Sequence, residues 1–480
     1  MLHKSIKKNY IYNLIFQFLT LITPLITTPY LSRLFGADGI GTYSYVESIS
    51  SYFVLFATFG LTTFGQREVS YVQDDRKKRT IIFWETIIIQ FISSLVCIIT
   101  YVFFSLMQKD TILYLVLVIN LFSVIVNITW LFQGMEEFGR IVLRNIVFKL
   151  IGLLYIFIFV TEKDDVIVYM FGVAFFSFIN NLSYWTVLPK FVDRPKVKEL
   201  QPIRHLKTVF SLFLPTIAIS IYTVLDKTMI GIITKDSFEN GYYEQAIKIS
   251  KVTLSVVTTL GIVMIPRIGH YFSHGESEAL RNSIYRSYRF VWLMGIPITF
   301  LLLSVSSNFV PWFFGPGFDQ VVPLLGVLGF LILAIGINNV TGVQYLIPTK
   351  RQNTFSFTVI IGAICNFLLN IVLIYKYKSI GAAIASVLAE CTIALVQLYI
   401  VRKELSFIKI FLLGFHYYIA GIVMLVVIFL IRDHFASSII NTVYLVAIGS
   451  ISYIICLVAL KDDFLLPIID NIVRSVLKKN

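Results

Sequence analysis

Two stretches, GTYSYVESI at residues 41–49 and GYYEQAIKI at residues 241–249, begin alike. In both, a glycine is followed two positions later by a tyrosine, and the copies stand 200 residues apart. Further matches at offsets of 200 and 209 residues are Arg67 with Arg267, Tyr71 with Tyr271, Gly172 with Gly381, and Ala174 with Ala383. Similarity at a fixed spacing is typical of chains built from a repeated structural unit. The sequence therefore predicts two copies of one unit.

Each of these stretches also opens a long apolar run. Of the 480 residues, 57% are hydrophobic and 14% are charged, and the apolar residues are gathered in blocks of about 20. A helix needs about 20 residues to cross a hydrocarbon core of roughly 30 Å, and such blocks are too long for the strands of a membrane barrel. The sequence therefore predicts an all-α, polytopic membrane protein with about 14 transmembrane helices.

The net charge of +13 could suit a nucleic-acid-binding protein, so the positions of the 40 Lys and Arg residues matter. Most of them fall in the segments that are cytoplasmic if the N-terminus is cytoplasmic, and few fall in the outer loops. This asymmetry is the positive-inside signature of membrane topology. It predicts that both termini are cytoplasmic, and it leaves nucleic-acid binding without support.

The duplication and the apolar blocks divide the chain into four segments. A six-helix lobe is predicted over residues 1–188, and a second six-helix lobe over residues 209–402. Residues 189–208, with three prolines and six Lys or Arg, are predicted to form a basic cytoplasmic linker. Residues 403–480 are predicted to add two helices and a cytoplasmic tail. Because an even number of spans separates the copies, both lobes are expected to share one orientation in the membrane.

The sequence contains no recognisable catalytic, nucleotide-binding or metal-binding motif. H-E-x-x-H, G-x-S-x-G and Walker sequences are absent, and the predicted outer loops are short. The four cysteines fall in apolar blocks without the spacing of metal ligands, which indicates a packing role. We therefore expect a transporter rather than an enzyme, without a cofactor, driven by an ion gradient, by the gradient of its substrate or by the membrane potential.

Charged residues within the spans are the candidate site, because ionised groups at membrane depth are costly and usually face a bundle interior or an aqueous cavity. The predicted cavity residues are Arg33, Glu47, Glu85, Lys149, Asp226, Lys227, Glu244, Lys248, Lys251 and Glu390. Glu244, Lys248 and Lys251 stand at positions i, i+4 and i+7, which lie on one face of a helix. A simple intrahelical ion pair of Glu244 with Lys248, and structural ion pairs elsewhere, are open alternatives.

Several motifs resemble a known family. They are PYLSRLFG (29–36), GIGTYSY (39–45), LDKTMIG (225–231), GYYEQA (241–246), IPR (265–267), NFLLNIVLI (366–374) and GAAIASVLAE (381–390). In this order they are similar to the bacterial polysaccharide flippases of O-antigen, capsule and exopolysaccharide pathways. That family belongs to the superfamily that also contains multidrug and toxic-compound extruders and the lipid II flippase. The likeness extends from residue 10 to about residue 400.

The resemblance implies two lobes around a central V-shaped cavity in the bacterial cytoplasmic membrane. It implies a substrate, an undecaprenyl-diphosphate-linked oligosaccharide, that moves from the inner to the outer leaflet by alternating access. Coupling to Na⁺ or H⁺ and a polysaccharide polymerase as a partner are further expectations.

A diphosphate that crosses a region of low dielectric would be stabilised by cations along its path. The cations predicted to line the cavity for this headgroup are Lys248, Lys251, Lys227 and Arg33. Glu244, Asp226 and Glu47 are expected to hold these cations in place or to titrate.

Two rival functions are compatible with the composition. The first is a drug or metabolite exporter of the same fold, for which an excess of carboxylates in the cavity would be expected; the prominence of lysine favours an anionic cargo instead. The second is a membrane polysaccharide polymerase or glycosyltransferase, which would need larger loops outside the membrane and would lack the duplication.

Overall fold

The computed structural model describes residues 6–467, apart from the side chains of residues 6–18, 21, 214–216, 218–223 and 262. Between residues 6 and 467 the chain forms helices and connecting segments, and this range contains no β-strand. Contacts between Cα atoms divide it into two compact units, and the division falls between Gly231 and Ile232.

The described residues of unit 1 form nine α-helices, which are connected by short segments. The helices are α1 (Ile6–Thr58), α2 (Leu61–Tyr71), α3 (Arg76–Leu106), α4 (Thr111–Val116), α5 (Val118–Ile125), α6 (Thr129–Gly134), α7 (Phe138–Phe159), α8 (Val166–Ser183) and α9 (Leu206–Thr234). Single 3₁₀ turns at Tyr184–Thr186, Leu188–Lys190, Val197–Glu199 and Pro202–His205 connect α8 to α9.

Unit 2 begins in the last turn of α9. Its described helices are α10 (Ser237–Thr258), α11 (Leu260–Ser273), α12 (Ser277–Phe314), α13 (Val321–Asn338), α14 (Gln352–Val401), α15 (Phe407–Leu412), α16 (Phe415–Ile431) and α17 (Ile439–Ala459). A π-helical segment, Asn339–Leu346, continues from α13, and a 3₁₀ turn, Arg432–His434, follows α16.

Eleven helical runs within the described residues are long and apolar enough to cross a membrane. Two of them, Ile22–Tyr71 and Gln352–Val401, contain 50 residues each, which corresponds to about 75 Å of helix and far exceeds a hydrocarbon core. Both runs are broken inside, so each can supply more than one crossing. The all-α membrane fold is confirmed, whereas the number of 14 helices stays a prediction.

The two breaks occur at residues with positive φ. In α1 the break is Gly36, with φ of 65° and ψ of −178°, a conformation that glycine adopts without steric cost. In α14 it is Lys378, with φ of 52°. Its ammonium lies 3.4 Å from Asp236 and 3.3 Å from Glu239. Glu239 also accepts hydrogen bonds from the backbone N–H and hydroxyl of Ser379, so one carboxylate fixes the corner and caps the helix that restarts.

The predicted linker, residues 189–208, contains the start of α9 at Leu206, and its residues before α9 contact the first turns of α3. Arg76 forms an ion pair of 2.8 Å with Asp193, and it donates to the carbonyls of Pro189 and Lys190 at 3.0 and 3.1 Å. Hydrogen bonding from Arg76 holds the pKa of the Asp193 carboxyl below its ordinary value, so the pair stays charged at neutral pH. The first part of the linker is thus bound to α3.

The additional C-terminal helices pack on α12 in unit 2. The Trp292 indole donates to the carbonyl of Ile410 at 3.0 Å, and the Tyr453 hydroxyl donates to the carbonyl of Leu293 at 3.1 Å. Both aromatic side chains are buried. The C-terminal helices α15, α16 and α17 therefore share a hydrophobic core with α12.

Gly172 and Gly381, which correspond in the predicted repeat, both lie in close contacts. A Cβ atom at Gly172 would lie 2.0 Å from the Tyr155 ring on α7, and a Cβ at Gly381 would lie 2.0 Å from the carbonyl oxygen of Leu373. Tyr155 lies on the helix before the one that carries Gly172, whereas Leu373 lies in α14 itself, on the other side of the break at Lys378 from Gly381. Both positions lack room for a side chain, although their neighbours differ.

We expect Gly381→Ala to lower the melting temperature of the purified protein, because backbone atoms of Leu373 cannot move aside as a flexible side chain would. Gly269→Ala is the matched control, since its Cβ would meet only Pro348, at 4.0 Å, in ordinary contact. Because alanine stabilises a helix interior by about 1 kcal/mol relative to glycine, the melting temperature of Gly269→Ala is the reference for Gly381→Ala. Differential scanning fluorimetry in detergent measures both; equal melting temperatures would contradict the close packing.

Candidate functional site

An ion pair joins α1 and α9 within unit 1. The Lys227 ammonium lies 3.8 Å from the Glu47 carboxylate, and the two side chains are 16% and 37% exposed. One residue further along each helix, the Thr228 hydroxyl donates to Ser48 at 2.9 Å, and it lies 3.1 Å from the hydroxyl of Tyr52. The structure therefore brings two of the predicted cavity residues together in a polar seam between the two helices.

Asp226 and Arg33 occupy contrasting environments in the same unit. Asp226 is buried, with 8% of its surface exposed. Arg33 is exposed and directs one guanidinium N–H to the carbonyl of Pro29, one turn back in its own helix, at 3.1 Å. It precedes the break at Gly36 by three residues. Arg33, unlike Asp226, therefore presents its side chain at the surface of unit 1.

Glu244 and Lys248 form the intrahelical pair that the sequence left open. Their charged atoms are 3.1 Å apart, and the carboxylate side chain is 6% exposed against 29% for the lysine. Lys251, one turn further on the same face of α10, is exposed. The buried carboxylate of Glu244 thus holds the ammonium of Lys248 in place, as expected. Lys251 places a second ammonium on the same face of α10, one turn beyond this ion pair.

Glu85 binds the linker. Its side chain is fully buried, and it accepts hydrogen bonds from the backbone N–H of Gln201 and the guanidinium of Arg204, each at 2.6 Å. A nitrogen of the His205 ring lies 2.7 Å from the same carboxylate. These three partners come from the segment that leads into α9. A role of Glu85 in lining a substrate cavity stays a prediction, and it would require these contacts to open.

Glu390 is buried in unit 2 between α13 and α14. The side-chain amide of Asn338 donates to its carboxylate and, at 3.0 Å, to its main-chain oxygen. Both side chains are less than a tenth exposed. Asn338 is the last residue before the π-helical segment, where a wider turn replaces the regular helix.

Lys149 lies in a pocket between α1, α7 and α8. The pocket has a volume of about 410 Å³, and its polar lining residues are Thr23, Thr27, Asn145, Lys149, Ser177 and Asn180. The structure therefore separates Lys149 from the Glu47–Lys227 pair of the same unit, which is not part of this lining.

Several of these partners were missed in the sequence. A polar residue in an apolar run is a candidate for such a contact, and this signal could have identified Thr228, Ser48 and Tyr52. Asn338 and the amides near Lys149 gave the same signal, but amides at membrane depth are common enough that spacing alone assigns them no partner. Arg204 and His205 gave none, because a basic residue in a predicted cytoplasmic linker needs no further explanation.

The described residues provide no obvious metal centre. Within residues 6–467 no group of three or more His, Cys, Asp or Glu side chains is placed to hold a metal ion. The four cysteines are free and half-buried.

The sequence matches an established family model, described as polysaccharide biosynthesis protein, over residues 6–272. The match covers more than half of the chain. The chain belongs to the polysaccharide biosynthesis protein family. A curated relative from Escherichia coli (strain K12), named as an O-antigen transporter, is 25% identical over 409 residues, which cover 83% of this chain and 97% of that protein.

Two solved structures place this family member in a known fold. The lipid II flippase MurJ, in an inward closed conformation, superposes with a TM-score of 0.73 at 17% identity, over 95% of this chain and 100% of that one. An inward-facing multidrug resistance MATE family transporter of the MOP superfamily superposes with a TM-score of 0.58 at 13% identity, over 81% and 98%. The resemblance and fold class expected from the sequence are confirmed. The names of these proteins agree with a transporter rather than an enzyme.

We expect Glu85→Ala to lower the melting temperature and the yield of membrane-inserted protein. It leaves the Gln201 N–H, Arg204 and His205 without their buried acceptor, and an unsatisfied buried group costs about 1–3 kcal/mol. Glu199→Ala is the control, because its ion pairs with Lys196 and Lys77 are long, 3.8 and 3.9 Å, and lie at the surface. A Glu85 variant as stable as the Glu199 variant would refute the anchoring role.

Reversal of the charges of the Glu47–Lys227 pair tests the seam between α1 and α9. Lys227→Glu should reduce stability, since it places two carboxylates together at membrane depth. Combining it with Glu47→Lys should restore most of the melting temperature, because the attraction returns with opposite sign. Lys207→Glu, at an exposed position, is the control for the added negative charge. Absence of recovery in the double variant would rule out a direct pair.

Proposed function

We propose that the chain is a flippase for lipid-linked oligosaccharides in polysaccharide biosynthesis. In its finer form, the proposal is that undecaprenyl-diphosphate-linked repeat units move from the inner to the outer leaflet of the bacterial cytoplasmic membrane by alternating access. The observation that carries it is the family match over residues 6–272, which spans unit 1 and continues into unit 2. The relative named as an O-antigen transporter, collinear over nearly its full length, supports the same cargo class.

Cations within the spans support an anionic cargo. Lys149 and Lys248 stand on helical runs that are long and apolar enough to cross a membrane, and Lys227 stands on α9, a helix of 29 residues. A lysine at this depth is retained where it meets a partner or an aqueous path. The diphosphate of a lipid-linked sugar would need such groups when it leaves the headgroup region.

The driving force and the partners of the flippase belong to the proposal as well. No nucleotide-binding loop occurs in the sequence, so we propose coupling to a gradient of Na⁺ or H⁺. A polysaccharide polymerase that receives the repeat units is the proposed partner. Both termini are proposed to be cytoplasmic, on the basis of the distribution of Lys and Arg.

A deletion strain tests the proposal directly. Cells that lack the protein should accumulate the lipid-linked repeat unit in the inner leaflet and should lose the surface polymer. Mass spectrometry of extracted lipids, combined with a membrane-impermeant lectin or oxidant, measures the amount and the leaflet. A strain with normal polymer and no accumulated intermediate would refute the proposed function, and accumulation of a drug in the deletion strain but not in the wild type would favour an exporter.

Substitution of the lysines on α10 tests their predicted role. Lys251→Ala should abolish surface polysaccharide in the complemented deletion strain while membrane abundance stays normal, because its exposed ammonium is proposed to meet the diphosphate. Lys248→Ala should do the same, and Lys248→Arg should restore function in part, since arginine can still pair with Glu244. Lys403→Ala, exposed after the end of α14, is the control. Full polysaccharide with Lys251→Ala would remove this residue from the site.

A further inference from the structure

The Lys149 pocket is a second feature of unit 1 that could hold part of a cargo. Lys149 stands at the midpoint of α7, a helix of 22 residues that is long enough to cross the hydrocarbon core. An ammonium at this depth is expected to face a polar cavity. The pocket of about 410 Å³ beside it is such a cavity, and its size is within the range of small-molecule sites.

The charge of the pocket favours an anion. Among the described residues that line it, Lys149 carries the only formal charge, and no carboxylate contributes to the wall. The other polar members are hydroxyls and amides. Phospholipid headgroups stay at the membrane surface, so the anions that reach the midpoint of a span are those that are being carried across.

Cross-helix hydrogen bonds hold the polar wall in place. The Asn180 amide donates to the Asn145 side-chain oxygen at 2.8 Å, and the Tyr184 hydroxyl lies 3.3 Å from the same oxygen. On the opposite side, Thr23 and Thr27 direct their hydroxyl protons to carbonyls of their own helix, at 2.7 and 3.0 Å. Their oxygens therefore remain available as acceptors toward the pocket.

Aromatic rings and aliphatic side chains form the remaining wall. Tyr169 packs edge-on against Tyr43, with ring centroids 5.1 Å apart, and Phe176 packs edge-on against Tyr155 at 5.3 Å. These contacts fix the ring orientations before any ligand binds. An apolar ring face beside hydroxyl and amide groups matches the two sides of a sugar, whose C–H face is apolar and whose edge carries hydroxyls.

We propose that this pocket binds a sugar that carries an anionic group, with Lys149 contacting the anion and Asn145, Asn180 and the threonines contacting hydroxyls. The inference rests on the proposed function and names a site for its cargo inside one unit. Two parts of a lipid-linked repeat unit have this chemistry: the sugar attached to the diphosphate, and an acidic sugar within the repeat. In either case the site lies halfway along the path that the headgroup travels.

Binding of soluble probes to the purified full-length protein tests the site. The probes are glucose 1-phosphate, glucuronate and glucose, each titrated by isothermal calorimetry or by ligand-induced shift in melting temperature. At least one of the two anionic sugars should bind at least tenfold more tightly than glucose does. Preference for the phosphate assigns the pocket to the sugar next to the diphosphate, and preference for glucuronate assigns it to an acidic sugar. Equal affinity for all three would overturn the proposal.

Variants locate the binding within the pocket. Lys149→Met keeps the length of the side chain without its charge and should weaken the anionic probe at least tenfold, while Lys149→Arg should retain most of the affinity. Lys198→Met, on the exposed linker, is the control and should bind like the native protein. Unchanged affinity in Lys149→Met would overturn the proposal.

A second measurement covers the case in which Lys149→Met does not fold. Ser177→Cys, in a background with the four native cysteines changed to serine, should react with a thiol reagent more slowly when the anionic sugar is present, since Ser177 lines the pocket. An unchanged rate would overturn the assignment. Failure here is separate from failure of the flippase proposal, because a deletion strain would still accumulate the lipid-linked repeat unit if only the pocket were wrongly assigned.

Discussion

The cost of an ionised group in hydrocarbon governs this structure more than any other interaction. Several of the predicted charges have a visible reason for their position: a counter-ion at Glu47, Lys227 and Glu244, a cluster of donors at Glu85, and an amide at Glu390. These partners lie on the same helix, on a neighbouring helix or, for Glu85, in the linker. Because removal of one partner strands the other in a medium that solvates it poorly, the charges fix how helices pair as well as what they could bind.

The helices themselves were readable from the sequence, because a run of about 20 apolar residues has few alternatives in a membrane. The apolar blocks stop near residues 33 and 375 and resume near residues 42 and 380, so an interruption around each break was predicted from the sequence. The position of the second break at Lys378 could not be inferred, since lysine gains nothing from positive φ; it depends on Asp236 and Glu239, about 140 residues earlier. Local propensity cannot report a conformation that distant carboxylates stabilise.

The candidate site was predicted in part. The sequence correctly paired Glu244 with Lys248 as one alternative, because residues at i and i+4 must be neighbours on a helix. It did not find the partners of Glu85 or Glu390, which depend on how the linker and α13 run through space. The match of Gly172 with Gly381 was visible in the sequence, whereas the close contacts of these glycines, with the Tyr155 ring and with the backbone of Leu373, appeared only in the structure.

The attachment of the linker to unit 1 has a practical consequence for anyone who wishes to label this protein. A fluorescent reporter or protease site inserted within residues 189–193 would displace backbone that Arg76, Thr80 and Trp84 hold in place, and one inserted beside Gln201 would disturb its hydrogen bond to Glu85. The tip around Gly275, between α11 and α12, is the better location: its neighbours are exposed, and a Cβ there would meet nothing within 4 Å. The longest polar stretch in the sequence is thus a poor place to cut, and a short turn is a good one.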